Sequence, residues 1–218
     1  EGIRIGGQGC SISQSSASMM SAAVKGRTVG EIHDLTRAFK AMMSIHEEGL
    51  EELLARIGGD PDHQHETYVA QMNRVMEGRP DGLTVTTHLC RGNLRSSWMA
   101  EGSYDFVAEA LFSGLDVDGF FLEYDDERSG GFEPLRFLPK GQKQAVLGLI
   151  TSKSGTLENK DDVKRRIDEA AKFAPLEQFC LSPQCGFAST EEGNILTEDQ
   201  QWAKMREIVE LSEEVWGK

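Results

Sequence analysis

From about residue 60 onward, short apolar runs of strand length alternate with segments whose apolar residues recur every three or four positions. This alternation constrains the fold more than any other feature. Strands and helices in strict succession pack as a parallel sheet with helices laid on it. The pattern predicts a helix at roughly 64–77 with Val69, Met72, Val75 and Met76 on one face, then a strand at 83–88. A helix near 103–113 contains Phe106, Val107, Ala110 and Leu111. A strand at 120–122 leads into a loop with Asp125, Asp126, Glu127, Gly130 and Gly131. The third strand spans 145–150. Asn159 starts a helix at about 160–173 that turns Val163, Ile167, Ala170 and Ala171 inward. The fourth strand lies near 178–181. Thr197 and Gln200 form a capping box for a last helix at about 198–216, with Trp202, Met205, Val209 and Trp216 inward.

The first part of the chain has a different character. Residues 3–9 read as a short strand ending in a Gly-rich turn, and Ser11 as the N-cap of a helix running to about Val24 and stopped by Gly26. Thr28 and Glu31 form a capping box for a second helix carrying Ile32, Leu35, Phe39, Met42 and Met43. Its continuation, through Leu50, Leu53, Leu54 and Ile57, ends at Gly58-Gly59. Residues 1–48 carry five basic and five acidic side chains, so residues 49–218, with 18 and 31, hold the whole net charge of −13. The expected division is 1–48, a linker at 49–63, and a domain at 64–218.

Composition narrows the function classes. No apolar stretch is long enough for a transmembrane helix, and no signal peptide opens the chain. The acidic excess argues against nonspecific binding to nucleic acid or an anionic membrane. The 39% hydrophobic content is too high for a disordered chain. The chain opens at Glu1 without Met, as a processed or truncated and joined product does. Four cysteines, Cys10, Cys90, Cys180 and Cys185, without a secretion signal, fit a reducing cytosol better than a disulfide scaffold. Cys10, just before a helix, is either an activated thiol or a small buried residue at a tight turn. Cys180, between Phe179 and Leu181, reads as core.

Ligands of parallel α/β sheets bind at the C-terminal ends of the strands. That rule selects His88-Leu89-Cys90, Glu123, and the run Ser182-Pro183-Gln184-Cys185-Gly186. His88 and Cys90 are two apart, so on an extended chain they point to the same side. Imidazole nitrogen with thiolate sulfur suits zinc, and Glu123 and Cys185 complete a four-ligand set. The alternative is a strand cap at His88, a buried Cys90, and Glu123 in a solvated acidic loop. Asp125, Asp126, Glu127 and Arg128 either line a site mouth or belong to that same loop.

Two resemblances follow from the motifs. Residues 7–20, Gly-Gln-Gly-Cys-Ser-Ile-Ser-Gln-Ser-Ser-Ala-Ser-Met-Met, with Val24-Lys25-Gly26-Arg27-Thr28-Val29, resemble U-type iron–sulfur cluster assembly proteins over residues 3–44. In that family the cysteine matching Cys10 is one of three that, with an Asp, bind zinc or a nascent cluster. The other two cysteine motifs are not found here. The runs His88-Leu89-Cys90-Arg91-Gly92-Asn93, Phe121-Leu122-Glu123-Tyr124-Asp125, Leu135-Arg136-Phe137-Leu138-Pro139-Lys140-Gly141 and Leu181-Ser182-Pro183-Gln184-Cys185-Gly186-Phe187 resemble the cobalamin-independent methionine synthase family over residues 64–218.

The second resemblance implies a TIM-type (β/α)8 barrel, of which this chain holds the second half: four parallel βα units with an N-terminal, mostly helical extension. It implies zinc held by His88, Cys90, Glu123 and Cys185. The implied reaction is transfer of a methyl group from 5-methyltetrahydrofolate, or a related donor, to the thiol of homocysteine, in the cytoplasm. The first resemblance implies instead an iron–sulfur cluster assembly or sulfur-acceptor protein. A third reading is an inactive zinc-binding hybrid. A half-barrel exposes two sheet edges and half an interior, which two copies could close as a homodimer.

Overall fold

The structure, a computed structural model, describes residues 28, 30–31, 60, 62–98, 100–188 and 191–217. Cys10, most of the segment 1–48 and most of the linker at 49–63 therefore lie outside the described residues. The capping box at Thr28 and Glu31 is formed: the Glu31 carboxylate accepts from the Thr28 N–H at 2.7 Å, and Thr28 Oγ1 accepts from the Glu31 N–H at 3.4 Å.

Four strands form one sheet: β1 (Thr86–Leu89), β2 (Gly119–Glu123), β3 (Gln144–Ile150) and β4 (Phe179–Pro183). They lie in sequence order, and each neighbouring pair is parallel. The helices are α1 (Gln64–Met76), α2 (Lys160–Ala170) and α3 (Glu198–Trp216). This is the expected α/β half-barrel. β1 begins later than its apolar run, because the Val85 N–H is taken at 2.7 Å by the Asp118 carboxylate. The helix expected at 103–113 is reduced to a π-helical turn at Glu109–Ser113. Ser103 and Asp105 bind each other through side chain and backbone, a local bonding pattern that competes with the helical ladder.

Strand alternation separates two faces. Phe120, Leu122 and Tyr124 of the β2 segment join Ala145, Leu147 and Leu149 of β3 and Phe179 and Leu181 of β4 in the buried core. Val163 and Ile167 of α2 and Ile208 and Leu211 of α3 complete it. On the other face Thr86, Phe121, Gln144, Val146, Cys180 and Ser182 line an open groove of about 610 Å³. Cys180 is thus not a core residue. Phe179 and Leu181 take the helix-covered face, so Cys180 takes the opposite one and sits 3.2 Å from Gln144 Oε1.

Two helices are rotated relative to their apolar stripes. In α3 the buried residues are Lys204, Glu207, Ile208 and Leu211, while Trp202 and Val209 are more than half exposed. The cause is Lys204, whose ammonium donates to the Thr156 carbonyl at 2.7 Å and to both Glu158 oxygens at 2.9 Å. Trp216 does turn inward, its Nε1–H donating to the Leu176 carbonyl. In α1 no residue is fully buried, and Met72 and Val75 face outward. That helix docks through Asn73, which bonds Gly114 and Asp116.

Candidate metal centre

The sheet register brings the strand ends together. His88 lies opposite Phe121, and Glu123 opposite Gly148. Between β3 and β4 the register slips, so that Ser182 pairs with Gly148 and Pro183 with Ile150. The Gln184 N–H still donates to the Ile150 carbonyl, which carries the chain directly into Cys185. Gly148 permits this crowding. A Cβ there would lie 2.6 Å from the Leu122 oxygen and 2.7 Å from Gln184 Cα.

Here His88, Cys90, Glu123 and Cys185 converge. One donor atom from each lies within 4.8 Å of all the others. Cys90 Sγ and Cys185 Sγ are 3.7 Å apart, and His88 Nε2 and Glu123 Oε1 are 3.6 Å apart. Tetrahedral zinc with ligand bonds of about 2.0–2.3 Å spaces its donors by about 3.3–3.8 Å, so these separations fit it.

Each donor is aimed by a neighbour. His88 Nδ1 is 3.2 Å from the Phe121 carbonyl. A carbonyl only accepts, so Nδ1 carries a proton and Nε2 is directed into the cluster. Glu123 is 2% exposed; its Oε2 accepts from the Arg91 N–H at 2.9 Å, while Oε1 has no hydrogen-bond partner. Nor does the buried Nε2 of His88. Cys90 accepts from the Gly92 N–H at 3.3 Å. Two buried polar atoms without hydrogen-bond partners thus face one another beside two sulfurs, a donor set whose chemistry fits a cation.

Electrostatics agree. Burial lowers the His88 pKa, but Cys185 and Glu123 together outweigh it and raise it to about 9. The Cys90 thiol is pushed far up by its hydrogen bond with Cys185, by burial and by the Glu123 charge. Both shifts favour the protonated form, because His88 and Cys90 share one small volume with further anionic or potentially anionic groups.

The acidic loop divides. Asp125 is drawn in, its carboxylate 3.8 Å from the Lys153 ammonium. Asp126 caps a short 3-10 turn and pairs with Arg128, whose guanidinium stacks 4.2 Å over Trp98. Glu127 is solvent-exposed.

Several supporting residues were not foreseen. Arg91, 7% exposed, reaches the Glu123 carbonyl, the Tyr104 hydroxyl and the Gly102 carbonyl. Asn93, Ser152 and Gln184 are also buried beside the cluster. Arg91 and Asn93 directly follow Cys90, and that position was their only signal. Gln184 lay within the selected run 182–186 without a role of its own; Tyr104 and Ser152 had no signal, since only the fold brings them near.

A family model for the catalytic domain of cobalamin-independent synthases matches residues 12–211. The chain belongs to the cobalamin-independent methionine synthase family. Two Bacillus subtilis relatives, the uncharacterized proteins YxjG and YxjH, are each 58% identical, over 172 and 165 residues. These alignments cover 79% and 76% of this chain but 45% and 44% of the relatives, so the chain spans a little under half their length. A 5-methyltetrahydropteroyltriglutamate–homocysteine methyltransferase of Bacillus licheniformis is 22% identical over 86% of this chain and 22% of its own.

Among solved structures, a candidate vitamin-B12-independent methionine synthase from Listeria monocytogenes aligns with a TM-score of 0.60 at 43% identity. It covers 74% of this chain and 44% of its own. A B12-independent methionine synthase from Shewanella sp. W3-18-1, in complex with selenomethionine, aligns with a TM-score of 0.53 at 17% identity, over 82% and 54% of the two chains. That likeness shows the fold alone. The methionine synthase family match begins at residue 12, so it runs through most of the segment that resembles iron–sulfur assembly proteins. The resemblance to iron–sulfur assembly proteins finds no support in the comparisons.

Proposed function

We propose that His88, Cys90, Glu123 and Cys185 hold zinc, and that the chain carries the metal half of a cytoplasmic thiol methyltransferase site. The substrate is homocysteine or a related thiol, and the donor is 5-methyltetrahydrofolate or a related methyl carrier. The observation that carries the reading is the convergence of four donors of zinc-binding type within 4.8 Å of one another. Zinc bound there supplies Lewis acidity, which favours the deprotonated, nucleophilic form of an incoming thiol. The chain's own residues do the positioning. Phe121 fixes the tautomer of His88, the Arg91 N–H turns Glu123 Oε1 toward the cluster, and the Gly92 N–H stabilises negative charge on Cys90. Cys90 is an exposed residue, although its sulfur packs against Cys185, so the cluster lies close to the surface. Among the described residues no helix is long and apolar enough to cross a membrane.

Metal analysis of the purified chain tests the reading. Stoichiometric zinc is expected, lost in Cys90→Ser and Cys185→Ser. Methyl transfer to homocysteine, supplied with a methyl-folate donor, then tests the reaction. Zinc retained by both serine variants would remove the assignment.

A further inference from the structure

Three of the four strand ends are tied together by buried side chains that belong to no metal ligand. Asn93, beyond β1, donates from Nδ2 to the Gly186 carbonyl at 2.8 Å and to Ser152 Oγ at 3.2 Å. Ser152, beyond β3, donates from Oγ to Gln184 Oε1 at 2.8 Å and from its N–H to the same oxygen. Asn194 Nδ2 donates to the Ser152 carbonyl from the far side. Asn93, Ser152 and Gln184 are 5%, 0% and 1% exposed. The chain of bonds grips the residue before Cys185 and the residue after it. Cys90, by contrast, is exposed and has the Gly92 N–H and Cys185 as its neighbours.

From this we infer that Asn93, Ser152 and Gln184 are positioning residues that preset Cys185 for metal, while Cys90 is left to close on the ion last. A cysteine held on both flanks loses little further freedom on binding, so the clamp raises affinity by lowering the ordering cost. Its members are not among the four candidate ligands, so their effect is separable from that of the ligands. The inference rests on the zinc reading above.

The test uses the full chain and two variants that cut the clamp at different links, Asn93→Ala and Ser152→Ala. The readouts are zinc affinity by chelator competition, the absorption of the Co²⁺-loaded protein, and the alkylation rate of each cysteine in the metal-free protein by mass spectrometry. Both variants are expected to weaken zinc binding by about 10- to 100-fold, the usual effect of losing an outer hydrogen bond at a metal site. Co²⁺–thiolate charge-transfer intensity falls toward that of Cys185→Ser. Alkylation of Cys185 speeds up and that of Cys90 does not. A general loosening would accelerate both cysteines, and that result overturns the inference, as does zinc affinity within twofold of wild type in either folded variant. Wild type that binds no zinc overturns the zinc reading itself, and the two failures are told apart by that control.

Discussion

Single residues at this site act through the space and the proton positions they enforce. Gly148 is the clearest case. A methyl group there would collide with backbone on both β2 and the segment after β4, neither of which can rotate away. Gly148→Ala is expected to cost about 1–3 kcal/mol in urea unfolding, as overpacking does, and to weaken metal binding in the same protein. A variant that keeps both stability and affinity would mean that the strand ends yield more readily than their contacts suggest. The ligand set was legible at this scale, because a strand-end rule and an i, i+2 spacing place His88 and Cys90 together. Glu123 and Cys185 stood out for their chemistry at neighbouring strand ends. The hydrogen bonds around them were not legible, since they depend on how the strand ends meet: the Phe121 carbonyl reaches His88 from the next strand, and Asn93 bonds Gly186 across 93 residues.

At the scale of elements, the sheet followed its apolar runs and two helices did not follow theirs. β-strands bury by alternation, and four short runs with period two leave little freedom. α2 also obeyed its pattern, with Val163, Ile167 and Ala170 buried and Asn159 capping the first turn. α3 failed it because one buried ion network outweighs an apolar count. Lys204 is fully enclosed with Glu158, and Glu207 accepts from the Glu158 N–H. Counting apolar residues every three or four positions cannot see a lysine that turns inward. Lys204→Met is therefore expected to destabilise by about 3–5 kcal/mol, since it strands buried carboxylates without their cation. Ile208→Ala should cost about 2–5 kcal/mol. Val209→Ala, one position on, should stay within about 0.5 kcal/mol. Equilibrium denaturation of the three variants ranks them, and equal losses at 208 and 209 would refute the observed rotation of α3.

For the whole molecule the dominant fact is an unshared sheet. Among the described residues the groove face of β2 and β3 has nothing over it, and Phe121 there is 37% exposed. Among the same residues β1 and β4 are both edge strands. Such a surface favours association with a second parallel sheet, in a second copy or in the remainder of a longer relative. Sedimentation should show mass rising with concentration, and Phe121→Glu should reduce it. An invariant monomer would count against association through this face. Chelation gives the complementary measurement. With free zinc at about 100 times its dissociation constant, removing the metal should cost about 2.7 kcal/mol of stability, seen as a lower melting temperature.

The bond from His88 Nδ1 to the Phe121 carbonyl carries one more consequence. It joins a metal donor on β1 to the backbone of β2, so the imidazole is aimed correctly only after those two strands have paired. Glu123 comes from β2 itself and Cys185 from beyond β4, so under the zinc reading proposed above an ion would collect its ligands across the full width of the sheet. Under that reading folding and metallation would be a single linked equilibrium. Metal occupancy becomes a gauge of how much of the sheet has assembled, and a chain caught half-folded would carry no more than a fragment of the coordination sphere.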